Sequence, residues 1–220
     1  MSRIFTLILI LSFSNLFSQN DTNNLIKYTT EFRFKEGIFI SFEQVKSNSP
    51  VSKSKIQFIS ESDDVDYYTK LFNQKKISYS ENDKIIDVPS EKVWGFSKNG
   101  TLYIQMNDEL FRIPYVGTIS HFIANVTLYR DRFQDPFMYD PYFSAFPQPT
   151  YTSKETRQFL LDFSSGQILE YNMQNVSAIL MRDNELFDEY NLLKKRKKRQ
   201  LMFLYIRRFN ERNPLYFPQK

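Results

Sequence analysis

From Val93 to Met106 the chain reads Val-Trp-Gly-Phe-Ser-Lys-Asn-Gly-Thr-Leu-Tyr-Ile-Gln-Met, two apolar runs on either side of an Asn-Gly pair. Asn-Gly supplies the two positive φ angles of a type I′ turn, so the pattern predicts a β-hairpin with Asn99 and Gly100 at its tip. That register pairs Lys98 with Thr101, Phe96 with Tyr103, Trp94 with Gln105 and Val93 with Met106. It puts Trp94, Phe96 and Tyr103 on one face; Val93, Leu102, Ile104 and Met106 share the other with Gly95. A hairpin apolar on both faces is expected centrally in a sheet.

Either side of this hairpin the periods are shorter. Thr29 to Ser41 alternates apolar and polar about Gly37, predicting two short strands or one bulged strand. Phe42 to Asn48 reads as one helical turn stopped by Asn48-Ser49-Pro50, and Ile56 to Ser60 as a strand ahead of an acidic loop. Tyr67 to Phe72 and Lys76 to Ser80 carry no decisive period, whereas Lys84 to Val88, Glu109 to Tyr115 and Thr118 to Tyr129 read as strands. The last of these places Phe122, Ala124, Val126 and Leu128 on a core face and His121 on the other. From Asp131 to Thr156 the period is lost: Pro136, Pro141, Pro147 and Pro149 stand among seven aromatic residues, predicting a long ordered loop. Arg157 to Asn172 reads as a second hairpin about Ser164 to Gly166. Beyond Gln174 the spacing becomes helical, with one helix through Phe187 and a second from about Glu189 to Arg212, ended by Pro214.

These elements predict an α+β fold: a mainly antiparallel β-domain, sandwich or partial barrel, over residues 28–172, with two C-terminal helices in residues 173–220 packed on it. The N-terminus is separate. Residues 1–18 carry one cation, Arg3, then the apolar run Ile4 to Leu11 and a small residue at Ser18, the pattern of a secretory signal peptide. Residues 19–27 read as a flexible tether. Export to the periplasm or beyond the cell is therefore expected, and with no Cys in the chain neither a lipoprotein anchor nor a disulfide can form. At 41% hydrophobic and 17% aromatic residues, the composition suffices for a packed core without such links.

Four segments carry a resemblance: Lys-Glu-Gly-Ile-Phe-Ile-Ser-Phe-Glu (35–43), the Trp-Gly-Phe…Asn-Gly…Leu-Tyr-Ile hairpin, Leu-Asp-Phe-Ser-Ser-Gly-Gln-Ile-Leu-Glu-Tyr-Asn (161–172) and Leu-Tyr-Ile-Arg-Arg-Phe-Asn-Glu-Arg-Asn-Pro-Leu-Tyr-Phe-Pro (204–218). In this order they resemble an uncharacterised family of secreted proteins from Bacteroidetes-type bacteria. The resemblance implies export and a shared fold, and brings no activity and no site residues.

The residue inventory narrows the chemistry. His121 is the only histidine, so a Ser-His-Asp triad would have to use it, and no Gly-x-Ser-x-Gly elbow accompanies it. Zinc sites built from several His or Cys are excluded. Asp63, Asp64 and Asp66 lack the Gly and terminal Glu of a calcium loop. The five Gly are scattered, so no phosphate-binding loop is formed, and no cofactor is called for. A pair of carboxylates acting on a glycan stays open, because their separation is a property of the fold.

Two surface features remain. Phe137, Tyr139, Tyr142 and Phe143 in the long loop can present rings to a glycan or an envelope protein, or lid the core instead. The second is the run Lys194, Lys195, Arg196, Lys197, Lys198 and Arg199. The net charge of +4 is an average: residues 188–220 hold ten cations against three acids, and the rest nineteen against twenty-two. Six consecutive helical cations span every direction around the axis, so this turn is expected to project beyond the core. It can meet lipopolysaccharide phosphates, an anionic polysaccharide or nucleic acid, or be neutralised by Asp183, Glu185, Asp188 and Glu189. The expected function is a non-enzymatic binding or structural module, with a carboxylate-dependent hydrolase as the alternative.

Overall fold

The computed structural model describes residues 25–58, 66–130 and 151–219. Its strands, in chain order, are β1 (Leu25–Lys27), β2 (Gly37–Phe39), β3 (Lys76–Glu81), β4 (Lys84–Pro89), β5 (Gly95–Lys98), β6 (Thr101–Met106), β7 (Glu109–Arg112), β8 (Ile119–Arg130), β9 (Tyr151–Asp162), β10 (Ile168–Glu170) and β11 (Tyr216–Pro218). The helices are α1 (Phe42–Lys46), α2 (Tyr67–Phe72), α3 (Met173–Leu180), α4 (Asn184–Asn191) and α5 (Lys195–Arg212). All strand pairings are antiparallel and the sheets are open, which makes the fold α+β.

The central hairpin is β5–β6, in the register read from its turn: Phe96 opposite Tyr103 and Lys98 opposite Thr101. Asn99 and Gly100 have φ of 52° and 74°, the left-handed pair a type I′ turn needs. The same device recurs twice with Asn-Asp, at Asn82-Asp83 between β3 and β4 and at Asn107-Asp108 between β6 and β7. Asn and Asp tolerate this backbone because their short polar side chains bond locally. The resulting sheet runs β2-β5-β6-β7, with the hairpin at its centre.

The faces of the hairpin differ from the expected alternation at one point. A Cβ on Gly95 would lie 2.1 Å from the carbonyl oxygen of Tyr103, so the strands approach here as only glycine permits. Across it the chain exchanges sides. Trp94 joins Leu102 and Ile104, meeting Phe39 and Phe42 at ring separations of 6.4 and 5.8 Å, while Val93 joins Phe96.

Three apolar clusters follow from the layering. The first lies between the central sheet and the sheet β10-β9-β8, where Phe39, Leu102 and Ile104 meet Phe122, Phe159 and Leu161. The second covers the opposite face of the hairpin with α2 and the β3–β4 hairpin. Tyr68, Phe96 and Tyr103 stack there in series, at 4.3 and 4.5 Å between centroids. The third packs α3, α4 and α5 on the outer face of β8 and β9, around Ile119, Leu160, Leu180, Tyr190 and Ile206. β8 and β9 are paired over all twelve of their residues, from Ile119–Asp162 to Arg130–Tyr151.

Several expectations are corrected. Leu25–Lys27, assigned to the tether, form β1 and pair with β11 at the other end of the chain. Thr29 to Ser41 yields only β2; Phe32 and Phe34 reach the core from an irregular segment by packing on Phe217. Ile56 makes a single bridge to Tyr79, and residues 59–65 lie outside the described residues. The predicted loop overruns into β9, which begins at Tyr151; residues 131–150 lie outside the described residues.

The C-terminal segment holds three helices rather than two. The first ends at Leu180 and Asp183 caps the second, its Oδ1 accepting the Leu186 N–H; Lys194 is extended (φ −62°, ψ 147°) where α4 gives way to α5. An Asp side chain that bonds the backbone in this way offers the chain a new helix start in place of continuation.

Candidate functional site: the basic turn opening α5

The helix α5 is fixed on the sheet by an amide. Asn210 Oδ1 accepts the Ile119 N–H and its Nδ2 donates to the Ile119 carbonyl, both at 2.8 Å, so the side chain pairs with β8 much as a neighbouring strand would. Gly117 makes room for it: a Cβ there would stand 2.5 Å from Asn210 Nδ2. Beneath, Met202, Tyr205, Ile206 and Phe209 are buried in the third cluster.

Alongside, α4 and α5 run antiparallel, as their polar contacts show. Arg212 reaches Asp183 (2.9 Å) and Glu185 (2.5 Å), Arg208 pairs with Glu189, and Lys198 Nζ donates to Asn191 Oδ1 at 2.7 Å. The Arg208 guanidinium holds the Glu189 carboxyl below the usual range, chiefly through its hydrogen bonds. Asp183, Glu185 and Glu189, which the sequence offered as partners for the cationic run, are thus taken by arginines at the far end of α5. Asp188 is exposed and makes no ion pair with the run. Among the described residues, none of Lys194, Lys195, Arg196, Lys197, Lys198 and Arg199 lies within ion-pair distance of a carboxylate.

Five of the six are exposed; Lys198 is half-buried, its ammonium 5.5 Å from the Tyr190 ring centroid. Tyr190 in turn donates its hydroxyl hydrogen to the Lys198 carbonyl at 3.2 Å. Burial, with the neighbouring Tyr171 and Tyr205, pushes the Tyr190 phenol up to about 12, so it remains a donor at neutral pH. Lys195 and Lys198 overhang an open cavity of about 360 Å³ floored by Met173, Gln174, Ser177, Tyr190 and Leu193.

The placement of the cations is electrostatically costly. They run from the N-cap through the first turn into the second of an 18-residue helix, where the unpaired backbone N–H groups already present partial positive charge, and the first turn itself holds no acidic residue. Charge read along the sequence finds the cluster; the diversion of the α4 acids depends on helix direction and is not written in any local pattern. Also beyond the pattern are Phe203 and Leu204, 37% and 46% exposed on the outer side of α5 within an apolar run that reads as core.

The other candidates resolve differently. His121 Nε2 is 2.9 Å from Gln158 Oε1 and the ring packs on Tyr171 and Phe203, a hydrogen-bonded histidine on a half-buried face. Asp87 and Glu109, like Glu189, are held below the usual carboxyl range, by hydrogen bonds from Lys76 and Lys154 respectively. Among the described residues no group of three or more His, Cys, Asp or Glu could hold a metal. Asp63 and Asp64, and the loop aromatics Phe137, Tyr139, Tyr142 and Phe143, lie outside the described residues. No helix among the described residues is long and apolar enough to cross a membrane. Comparison of the chain with protein-family models, with curated proteins and with solved structures finds no match in any of the three.

Proposed function

We propose that this chain is an exported, non-enzymatic binding module that docks on anionic surfaces, such as lipopolysaccharide phosphates or an anionic polysaccharide, through Lys194–Arg199. The observation that carries the reading is a cationic turn with no carboxylate within ion-pair distance among the described residues. Six consecutive cations stand at the positive end of a helix while the acids of the adjacent helix pair elsewhere. Such a cluster destabilises its own helix start and attracts polyanions over a Debye length. Export belongs to the same proposal and rests on residues 1–18 and on the resemblance carried by residues 35–218.

The test is retention on immobilised heparin, a soluble-polyanion mimic, across a salt series. Wild type is expected to elute with a steep salt dependence. Lys194, Lys195, Lys197 and Lys198 changed together to Gln should lower the log–log slope by about 3, as fewer counterions are released. Equal slopes for the two proteins would end the proposal, since the turn would then contribute nothing to polyanion binding.

A further inference from the structure

Resting on that reading, we infer that the partner surface is an anionic lipid bilayer, engaged by the whole outer face of α5 and not by the basic turn alone. At 100° per residue, Arg196, Lys197, Gln200, Phe203, Leu204 and Arg207 fall within an arc of about 120°, opposite the buried Met202, Tyr205, Ile206 and Phe209. From Arg196 to Arg207 this face is about 17 Å long. Cations stand at both ends of it, and between them lie Leu204, 46% exposed, and Phe203, 37% exposed with its ring resting on Tyr115 and His121. Leu192, 87% exposed, sits in the turn immediately before the cations.

Charge complementarity names the occupant. Arg207, like the basic turn, has no carboxylate within ion-pair distance among the described residues, and the single acid on the arc, Glu211, lies at its C-terminal end. A soluble polyanion would use the cations and leave Leu192 and Leu204 in water, with the uncovered edge of Phe203. An interface of phosphate headgroups over acyl chains uses both, because Lys and Arg extend their stems to the phosphates while Leu and Phe enter the apolar boundary. The face carries Lys, Arg, Leu and Phe in the mixture that interfacial helices show, on a helix held to its sheet by Asn210.

The experiment uses the full chain with vesicles of phosphatidylglycerol or of phosphatidylcholine, and heparin as the lipid-free polyanion. All variants share residues 1–24, so differences among them report on α5. Wild type should sediment with phosphatidylglycerol vesicles and much less with phosphatidylcholine. Leu192→Gln combined with Leu204→Gln should weaken partitioning about tenfold while heparin retention is unchanged, and an unchanged thermal denaturation midpoint shows that the variant is folded. In a Trp94→Phe background, Leu204→Trp should emit at shorter wavelength with phosphatidylglycerol vesicles and not with heparin. Equal partitioning of the double variant, or no spectral change at position 204, overturns the bilayer inference and leaves polyanion binding standing. Tighter binding to duplex DNA than to phosphatidylglycerol overturns it in favour of nucleic acid. Loss of heparin retention by wild type itself removes the underlying reading as well.

Discussion

Asn210 offers the sharpest test of how α5 is held. Its amide satisfies both backbone groups of Ile119, a residue with no exposed surface, 91 positions away. Asn210→Ala removes both bonds at once. Ile119 sits opposite Asp162 of β9, and its own N–H and carbonyl point away from that strand toward α5. Each buried backbone group left without a partner costs about 1–3 kcal/mol. Water entering beside Gly117 recovers part of this, so the expected loss is about 2–4 kcal/mol, or about 5–15 °C in midpoint for a chain of this size. Asn210→Asp discriminates further. At neutral pH the carboxylate keeps the bond from the Ile119 N–H but repels the Ile119 carbonyl; protonated, it can donate again. Its folded pKa should therefore lie above the unfolded value of about 3.9, and its penalty relative to wild type should shrink as pH falls toward that value. Thermal and urea denaturation at pH 7 and pH 5 measure both. A loss below about 1 kcal/mol for Asn210→Ala would show that Ile119 is readily hydrated and that apolar packing alone seats the helix.

Two further outcomes are expected. Trp94→Ala should cost about 2–4 kcal/mol, toward the low end for an aromatic truncation because Trp94 is only half-buried between Phe39 and Phe42. Gly95→Ala beside it should cost about 3 kcal/mol or more, as the new methyl would collide with the Tyr103 carbonyl; denaturation midpoints that leave either unchanged would refute the exchange of faces at Gly95. Lys197→Glu should raise stability by about 0.3–1 kcal/mol by placing a negative charge in the first turn of α5, and should simultaneously weaken heparin retention. If stability falls instead, the dipole argument for that turn is wrong.

What the sequence makes legible here follows the range of the interactions. Asn99-Gly100 sets its register locally, and that hairpin reads correctly except where Gly95 lets the strands close and Trp94 changes sides, a contact between residues 95 and 103 that no period encodes. Asn82-Asp83 and Asn107-Asp108 make the same left-handed turn and could have been read by the same chemistry, without the glycine that draws attention to it. Asp183 carries a legible N-cap signal, which separates α3 from α4, yet the helical spacing runs on through it. Tyr67–Phe72 is a six-residue helix with no side-chain cap bond, held by burying Tyr67, Tyr68, Leu71 and Phe72, so tertiary packing decides it. At the candidate site the cations are visible in composition; that the acids of α4 pair with Arg208 and Arg212 instead is set by the antiparallel course of α4.

The pairing of β1 with β11 also governs how the fold bears force. Leu25 lies opposite Pro218 and Lys27 opposite Tyr216, so tension applied through the two ends of the described chain opens this ladder one pair at a time, as a zipper, instead of shearing all its bonds together. The weak element is short, and it stops at an anchor. Phe217, fully buried, meets Tyr28, Phe32, Phe34 and Phe163, so a strand peeled to that ring must drag an aromatic plug out of the first cluster before anything further yields. A load on the ends would thus meet a soft extension first and a stiff stop after it, leaving the sheets and the face of α5 undisturbed below the force that extracts Phe217.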